Sequence, residues 1–311
     1  MPKESLRDAY GNTLLALGEH DDRIVVLDAD LAKSTKTITF GRRVRERFID
    51  AGLSEQDMVS TAAGLSLTGK TVFASSFCVF LVGRVYDQVR QSVCYNNANV
   101  KLIGTHSGLG VGEDGATHQA LEDIAMLRPL PNMRIIVPTD ATETIQAIRC
   151  VAAEDGPFFV RLTRSKLEKI YDEGYRFRFG KASVLREGDD VTLVAIGAMV
   201  SKALEAANTL AEEGIQAAVI NMSTVKPLDG ETLVSFARRT AGIVTMEDHS
   251  VFGGLGGAVA EHLGVHHPTP VRIIGVNNRF GRSGTPEALY AHFGLTPERA
   301  VEEAKGLLEG R

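Results

Sequence analysis

Residues 105–120 read THSGLGVGEDGATHQA and contain the spacing G-x-G-x-x-G, starting at Gly110. In a dinucleotide-binding loop the first glycine directly follows a strand, and the loop opens a helix whose N–H groups face a pyrophosphate. Here Gly110 is separated from the preceding apolar run at 100–104, and the acidic residues Glu113 and Asp114 would repel a phosphate group. The function of this loop must therefore come from its carboxylates and histidines.

The length and composition exclude several classes of protein. With 311 residues the chain can form two domains with separate cores, and no apolar run is long enough to span a bilayer. The net charge of -5, with basic residues scattered along the chain, gives no electrostatic surface for nucleic acid. The first residues lack an apolar signal core, and the three cysteines are not clustered. We therefore expect a cytoplasmic protein without nucleic-acid or membrane partners.

Apolar, β-rich runs alternate with helical patterns along most of the chain. Continuous apolar runs of this kind are typical of strands buried in a parallel sheet. The predicted strands are 23–28, 71–75, 100–104, 133–137, 158–162, 191–196, 216–221, 242–247 and 271–276. The predicted helices are 79–96, 141–154, 200–213, 230–239, 256–263 and 297–308. The pattern predicts an α/β fold with two domains, each a mainly parallel sheet flanked by helices.

A charged segment interrupted by glycines separates the two series. It lacks a sustained hydrophobic period, which is typical of an interdomain crossing. We therefore predict a first domain at 1–165, a linker at 166–189 and a second domain at 190–311. Within the first domain, Ser54 followed three residues later by Asp57 indicates a capping box at the start of a helix.

Polar residues follow several predicted strands of the first series. In a doubly wound sheet, ligands bind beyond the carboxyl ends of the strands, where these side chains would meet. The residues concerned are Asp28, Asp30, Ser75, Ser76, His106, Arg161 and Arg164, joined by Glu113, Asp114 and His118 of the loop. Histidines and carboxylates among glycines can bind several hydroxyl groups and transfer a proton near neutral pH. Taken singly, each of them is more often an ordinary turn or capping residue.

Together, these stretches resemble the transketolase family both in their residues and in their order along the chain. The matching segments are DADLAKS (28–34), GLSEQDMVSTAAGL (52–65), FASSFCVFLVGRVYDQVRQS (73–92), THSGLGVGEDGATHQALED (105–123), PNMRIIVPTDATET (131–144) and FFVRLTRSKL (158–167). They are similar to successive pieces of the family's pyrimidine-binding domain, and the remainder resembles its C-terminal domain. The resemblance therefore covers essentially the whole chain.

The resemblance implies thiamine diphosphate as cofactor, which supplies an electron sink for ketose chemistry. Glu55 matches the glutamate that hydrogen-bonds the aminopyrimidine ring and promotes its proton transfer. Phe77 and Phe80 match the aromatic residues that stack on the pyrimidine. A third aromatic residue of the family corresponds to Gly83, for which Tyr86 is a candidate substitute.

Other family positions imply a sugar-binding channel. Asp114 and His118 match residues that orient the hydroxyl groups near the reacting carbon, and with Glu55 and His106 they make up the expected catalytic set. Asp30 matches an acidic residue near the cofactor at the subunit boundary. Arginine forks suit phosphate groups. The positions that match the binding site for the distal phosphate are Arg7, Ser34, His106 and Arg164.

The family's Mg²⁺ site is what the sequence lacks. Thiamine diphosphate enzymes hold Mg²⁺ through a G-D-G motif and a later asparagine in a separate domain; the nearest strings here, GEDG (112–115) and REGDD (186–190), do not open a helix. A histidine group at 262, 266 and 267 is interrupted by Gly264 and followed by the break at Pro268, which favours a solvated loop. The resemblance therefore implies the C-terminal subunit of a split transketolase, without a metal site of its own. It would act only with an N-terminal subunit that holds Mg²⁺ and the diphosphate, in an α₂β₂ assembly.

Other activities remain open at this point. The segment EDHSVFGGLGGAVAE (247–261) resembles 1-deoxyxylulose-5-phosphate synthase and the β-subunits of 2-oxoacid dehydrogenases more than single-chain transketolases. Against them, His106 and Asp114 match residues that serve a sugar, which can be a branched or unusual ketose phosphate. A non-catalytic regulatory subunit is the alternative of another class.

Overall fold

The computed structural model describes residues 3–310, which form two mainly parallel sheets flanked by helices, so the predicted fold class is confirmed. In the first part of the chain the elements are β1 (Lys3–Glu4), α1 (Leu6–Gly18), β2 (Ile24–Asp28), α2 (Ala32–Thr35), α3 (Ile38–Arg43), β3 (Phe48–Asp50), α4 (Glu55–Ser66), β4 (Thr71–Phe77), α5 (Tyr86–Gln88), β5 (Val100–Thr105), α6 (Asp123–Leu127), β6 (Arg134–Ile136), α7 (Ala141–Ala153), β7 (Phe158–Arg161) and β8 (Leu167–Glu168).

The second part begins inside the predicted linker. Its elements are β9 (Ser183–Arg186), β10 (Val191–Ala195), α8 (Met199–Glu212), β11 (Ala217–Asn221), β12 (Thr224–Lys226), α9 (Gly230–Ala237), β13 (Ile243–Ser250), α10 (Leu255–His266), β14 (Val271–Val276), α11 (Pro286–Phe293) and α12 (Pro297–Glu309). Each predicted strand is present within a few residues of its expected bounds. Within residues 3–310, no helix is long and apolar enough to cross a membrane.

The first sheet has seven strands in the order β12-β6-β7-β5-β4-β2-β3, all parallel except β12. The central strands β2, β4, β5 and β7 are buried along their whole length, which explains their continuous apolar sequences. Because these strands are parallel, their carboxyl ends lie at one edge of the sheet. The polar residues that follow them are therefore brought together.

The second sheet has five strands in the order β14-β13-β10-β11-β9, and β9 is its antiparallel edge strand. Two short strands cross the expected domain boundaries. The segment 166–189 contributes β9 to this sheet, and β12 of the second part pairs with β6 of the first sheet. A short, half-exposed strand such as β9 lacks the buried apolar run by which the other strands were predicted.

The predicted helix 79–96 is irregular. Two wide π-helical turns, Phe80–Arg84 and Val89–Cys94, flank the short helix α5. Such turns are frequent at functional sites because they accommodate an extra residue and change the direction of side chains.

The predicted capping box is wrong, since the Ser54 side chain makes no cap hydrogen bond to α4.

A buried ion pair joins the two halves of the molecule. Arg161 Nε donates to Asp123 Oδ2 at 2.8 Å, and Arg161 Nη2 donates to the carbonyl oxygens of Ala120 and Asp248 at 3.1 and 2.9 Å. The side chains of Arg161 and Asp123 are only 3% and 1% exposed. Burial alone would lower the pKa of Arg161, but the charge and hydrogen bond of Asp123, together with the neighbouring Cys78 and Asp248, raise that pKa above its ordinary value. The guanidinium therefore stays charged inside the protein.

A second buried carboxylate, Glu143 of α7, ties the first sheet to the linker and to β11. It accepts hydrogen bonds from the Thr139 backbone N–H and the Tyr175 hydroxyl, each at 2.8 Å, and from Asn221 Nδ2 at 3.1 Å. Burial raises the pKa of Glu143, and these donors partly offset that effect. Two buried side chains, Arg161 and Glu143, thus fix how the two halves pack.

Replacing Asp123 by Asn should destabilise the chain strongly, because Arg161 would remain buried without a compensating charge. The expected cost is about 3–5 kcal/mol. Urea unfolding of the purified chain, followed by circular dichroism, measures the shift in midpoint. Glu261→Gln is the matched control, because Glu261 is 68% exposed and pairs with Arg128 at the surface; its expected cost is below about 1 kcal/mol. Equal shifts for the two variants would contradict the proposed role of the buried pair.

Candidate active site

The predicted acid–base residue, Glu55, is the first residue of α4 and is 2% exposed. A carboxylate at a helix N-terminus is stabilised by the helix dipole, which lowers the cost of burying it there. Its Oε2 accepts a hydrogen bond from Arg84 Nη1 at 2.7 Å. The site therefore holds a buried carboxylate whose partner is a half-exposed arginine.

Aromatic rings and imidazoles from separate segments converge beside the end of β4. The rings of Phe77 and Phe80 are stacked, with centroids 5.9 Å apart and planes inclined by 15°. The His106 ring stacks on Phe77 at 3.7 Å, and the His118 ring meets the Phe80 ring edge-on at 5.4 Å. Four residues predicted for one site from two stretches of sequence thus form one connected cluster of rings.

Arg84 is a member of this cluster that the sequence analysis missed. Its guanidinium carbon lies 4.6 Å from the centroid of the Phe80 ring, while Nη1 binds Glu55. Tyr86, the expected substitute for the aromatic residue absent at Gly83, is half-buried and packs against the hydrophobic core instead. No local signal in the sequence marks Arg84, because Phe80–Arg84 form a π-helical turn to which the α-helical spacing of neighbouring side chains does not apply.

His106 is held as a neutral imidazole. Burial lowers its pKa to about 3, and the nearby charges of Arg7 and Arg164 add to that effect. Its Nε2 lies 3.5 Å from Arg7 Nη1 and its Nδ1 lies 2.9 Å from Thr105 Oγ1. Because a guanidinium can only donate, Nε2 accepts and the ring proton is assigned to Nδ1, which donates to Thr105.

The four residues predicted to bind a phosphate group lie in contact with one another. Arg7 donates to the carbonyl oxygens of Ser34 at 2.9 Å and of Arg164 at 3.3 Å, besides approaching His106. Arg7 Nε is buried without a hydrogen-bond partner. Burial lowers the pKa of Arg7, and the neighbouring charge of Arg164 adds to that effect although Asp8 opposes it. Two cations with an unused donor are suited to an anion.

The loop that follows β5 carries both remaining predicted sugar ligands. It winds through tight turns at Leu109–Asp114, with positive φ at Gly108, Gly112 and Gly115. Arg164 Nη1 donates to the Val111 carbonyl at 2.6 Å and lies 3.7 Å from Asp114 Oδ2. His118 Nδ1 lies 2.9 Å from the Thr117 hydroxyl. Asp114 is exposed and His118 half-buried, so both are accessible to a ligand.

The second domain holds this loop in place through Asp248, another residue that the sequence analysis missed. Its carboxylate accepts from the N–H groups of Leu109 at 2.8 Å and Gly110 at 3.4 Å, and from the Tyr290 hydroxyl at 2.9 Å. Burial raises the pKa of Asp248, and Arg161 partly offsets this. A Cβ at Gly108 would lie 2.3 Å from this carboxylate, so only glycine fits there.

Other predicted features lie apart from this cluster. Asp30 is exposed at the end of β2, with φ of 59° and its N–H bonded to Asp50. The predicted break at Gly264 is wrong, because α10 continues to His266.

Among residues 3–310, no group of three or more histidine, cysteine or acidic side chains could hold a metal ion. A wide cleft of about 910 Å³ lies between α1 and α7 and contains none of the predicted site residues.

Comparison with known proteins identifies the family. Residues 3–169 match the model "Transketolase, pyrimidine binding domain", and residues 180–300 match "Transketolase, C-terminal domain". The chain therefore belongs to the transketolase family. Because its two matching regions are the pyrimidine-binding and C-terminal domains, it corresponds to the C-terminal section of such enzymes.

Proteins of similar length share this architecture. The chain is 45% identical to a "Putative transketolase C-terminal section" of Methanocaldococcus jannaschii, over 97% of each chain. It is 43% identical to the "6-deoxy-6-sulfo-D-fructose transketolase subunit SqwH" of a Clostridium species, over 98% of this chain and 94% of that one. A solved structure described as "Split gene transketolase, inactive beta4 tetramer" superposes with a TM-score of 0.91 at 46% identity, covering 99% of both chains. The predicted resemblance to split transketolase C-terminal subunits is confirmed.

His106 should remain uncharged in the folded protein well below neutral pH. Its native pKa, lowered to about 3, lies below the value of about 6.5 for an unfolded chain, so the unfolded state binds the proton first as the pH falls. The free energy of unfolding should therefore fall below about pH 6.5, by up to about 1.4 kcal/mol per pH unit from this residue. Ring ¹⁵N spectra of histidine-labelled protein, assigned with His106→Gln, measure the titration directly. A His106 signal that titrates between pH 5 and 7 would contradict the burial argument.

Proposed function

We propose that the chain is the C-terminal subunit of a thiamine diphosphate-dependent transketolase, which moves a two-carbon ketol unit from a ketose phosphate to an aldose phosphate. The observation that carries this proposal is one continuous cluster. The buried Glu55 is joined through Arg84 to Phe80, whose ring stacks with Phe77. Phe77 stacks on His106, which in turn contacts Arg7 of the basic group. The carboxylate and the aromatic surface suit the ring of a cofactor. The adjoining anion site suits the phosphate group of a sugar bound next to that ring.

The residues present fit the aminopyrimidine part of thiamine diphosphate. A buried carboxylate at a helix N-terminus can exchange a proton with a ring nitrogen, and two nearly parallel phenyl rings offer a flat apolar surface. When bound, this cofactor supplies an electron sink for cleaving the carbon–carbon bond of a ketose. In this proposal, Glu55 of this chain holds and returns a proton, and the phenyl rings exclude water.

The sugar would lie between the cofactor and the basic group. We infer that Asp114 and His118 orient its hydroxyl groups, because both are accessible on a loop that is anchored from the second domain. Arg7 and Arg164 would hold the distal anion, while His106 supplies a neutral imidazole between the two regions. Fixing both ends of a flexible substrate lowers the entropy cost of reaching the reactive geometry.

We infer that a separate N-terminal subunit completes the site with Mg²⁺ and the diphosphate, in an α₂β₂ assembly in the cytoplasm. Leu53, two residues before Glu55, is 76% exposed, which suits a surface that a partner covers. The similar solved protein is described as an inactive tetramer of β-chains. The buried free thiols of Cys78 and Cys94 agree with a reducing compartment.

The test compares this chain alone with the chain co-expressed beside an N-terminal transketolase subunit from the same genome. Ketol transfer from xylulose 5-phosphate to ribose 5-phosphate, with thiamine diphosphate and Mg²⁺, should occur only in the mixture. Activity of the chain alone would refute the need for a partner. If the mixture is inactive with xylulose 5-phosphate but converts 6-deoxy-6-sulfofructose, the proposed reaction type is supported and the proposed donor is wrong.

Within the assembled enzyme, Glu55→Gln should lower kcat at least about a hundredfold, because an amide cannot hold the transferred proton. Asp57→Asn is the matched control: Asp57 lies in the same first turn of α4 but is exposed, and its variant should keep near-normal turnover. Steady-state kinetics at saturating cofactor measures both. Full activity of Glu55→Gln would refute the catalytic proposal and favour a non-catalytic subunit.

The anion site can be tested separately. Arg164→Gln should raise the KM of a ketose phosphate by about ten- to a hundredfold, the worth of a charge-assisted hydrogen bond. The same variant should hardly change the KM of an unphosphorylated donor such as erythrulose, because that molecule has no distal anion. An equal loss for both donors would show that Arg164 serves the loop through Val111 rather than the phosphate.

A further inference from the structure

Arg84 makes the two contacts that an aminopyrimidine would need in this site. Its Nη1 donates to Glu55 Oε2 at 2.7 Å, and its guanidinium carbon lies 4.6 Å from the centroid of Phe80. A guanidinium is planar, donates N–H groups to carboxylates and stacks on aromatic faces. An aminopyrimidine is also planar, bonds to a carboxylate through a ring nitrogen and stacks on aromatic rings. The two groups therefore compete for the same carboxylate and the same ring.

The local backbone explains why the arginine reaches this position. Arg84 ends the π-helical turn that begins at Phe80, four residues before it. The intervening Gly83 has no side chain, and a Cβ built there would meet no atom within 4 Å. No side chain at 83 therefore stands over the rings, and the long side chain of Arg84 can cover Phe80 from the next position.

The two partners of this ion pair are buried very unequally. The Glu55 side chain is 2% exposed, whereas the Arg84 side chain is 49% exposed. A buried carboxylate is costly without a partner. A half-exposed arginine, by contrast, regains water by rotating outward, so the arginine side of the contact costs little to give up. The contact therefore protects Glu55 in the free subunit, and a ligand that hydrogen-bonds Glu55 can replace it.

We propose that Arg84 is a displaceable placeholder in the cofactor site: it neutralises Glu55 and covers Phe80 in the free subunit, and leaves both when the aminopyrimidine binds. This inference rests on the proposed function. It makes Arg84 a positioning residue, because it keeps Glu55 and Phe80 in their binding arrangement before assembly. It also means that cofactor binding includes the cost of breaking the Arg84 contacts.

The first test is calorimetric titration of thiamine diphosphate, with Mg²⁺ present, into the assembled enzyme. Arg84→Ala should bind the cofactor about three- to thirtyfold more tightly than the wild type, the combined worth of a half-exposed ion pair and a cation–π contact. Arg84→Lys, which keeps the charge but loses the planar stack, should fall between them. Arg90→Ala is the control, because Arg90 is an exposed arginine of the same segment. It should match the wild type.

The second test uses the free subunit without cofactor, where Arg84→Ala should unfold at a lower temperature than Arg90→Ala, and Arg84→Lys should recover part of the loss. The gap in cofactor affinity between wild type and Arg84→Ala should also narrow at high salt, which screens the ion pair. Unchanged or weaker cofactor binding by Arg84→Ala would overturn the placeholder role. Failure of the wild-type assembly itself to bind thiamine diphosphate would overturn the proposed function, and this inference with it.

Discussion

The buried charge of Arg161 organises both halves of the molecule. It stands at the end of β7 and pairs with Asp123 at the start of α6. It also donates to a backbone carbonyl of β13 and to one of the loop 105–120, called here the sugar loop because it carries Asp114 and His118. An uncompensated guanidinium cannot be buried at an acceptable cost. These four segments must therefore meet around it, and the end of the loop after β5 is fixed at Ala120. The accessible residues earlier in that loop depend on this anchor although none of them touches it.

The candidate site depends on two different kinds of support. Glu55 and Phe77 stand on the ends of a helix and a strand of the first sheet, whose positions follow from the packing of the core. The sugar loop has no regular structure of its own and relies on the second domain, where the Asp248 carboxylate binds two of its N–H groups. The second domain thus contributes to the site by holding a loop, without placing a predicted ligand in it. Rigid support of this kind limits how far a bound substrate can drift.

Features set by the local sequence could be predicted, whereas features set by contacts between residues far apart in the sequence could not. The central strands were predictable because burial on both faces leaves an unbroken apolar run, and His106 followed because it comes directly after such a strand. Phe77 was assigned to the site only through the resemblance to the transketolase family. Asp248 was not, since it meets the loop 139 residues away in sequence and nothing local marks it. Arg84 was not either, because its place depends on a π-helical turn that an α-helical period does not describe. The short strands β9 and β12 lack the long unbroken apolar run by which the central strands were predicted.

The neutral state of His106 explains how one cluster can hold both an apolar ring and an anion. The imidazole stacks on Phe77 at 3.7 Å while its Nε2 accepts from Arg7. A protonated ring could not accept that hydrogen bond and would add a third positive charge beside Arg7 and Arg164. The positive charge for a ligand therefore comes from the two guanidinium groups, and both a phosphate and a sulfonate offer the oxygen acceptors that such groups bind. Charge alone would discriminate weakly between these anions, so selection among ketoses in the proposed enzyme must come from the length of sugar that fits between this basic group and the aromatic pair.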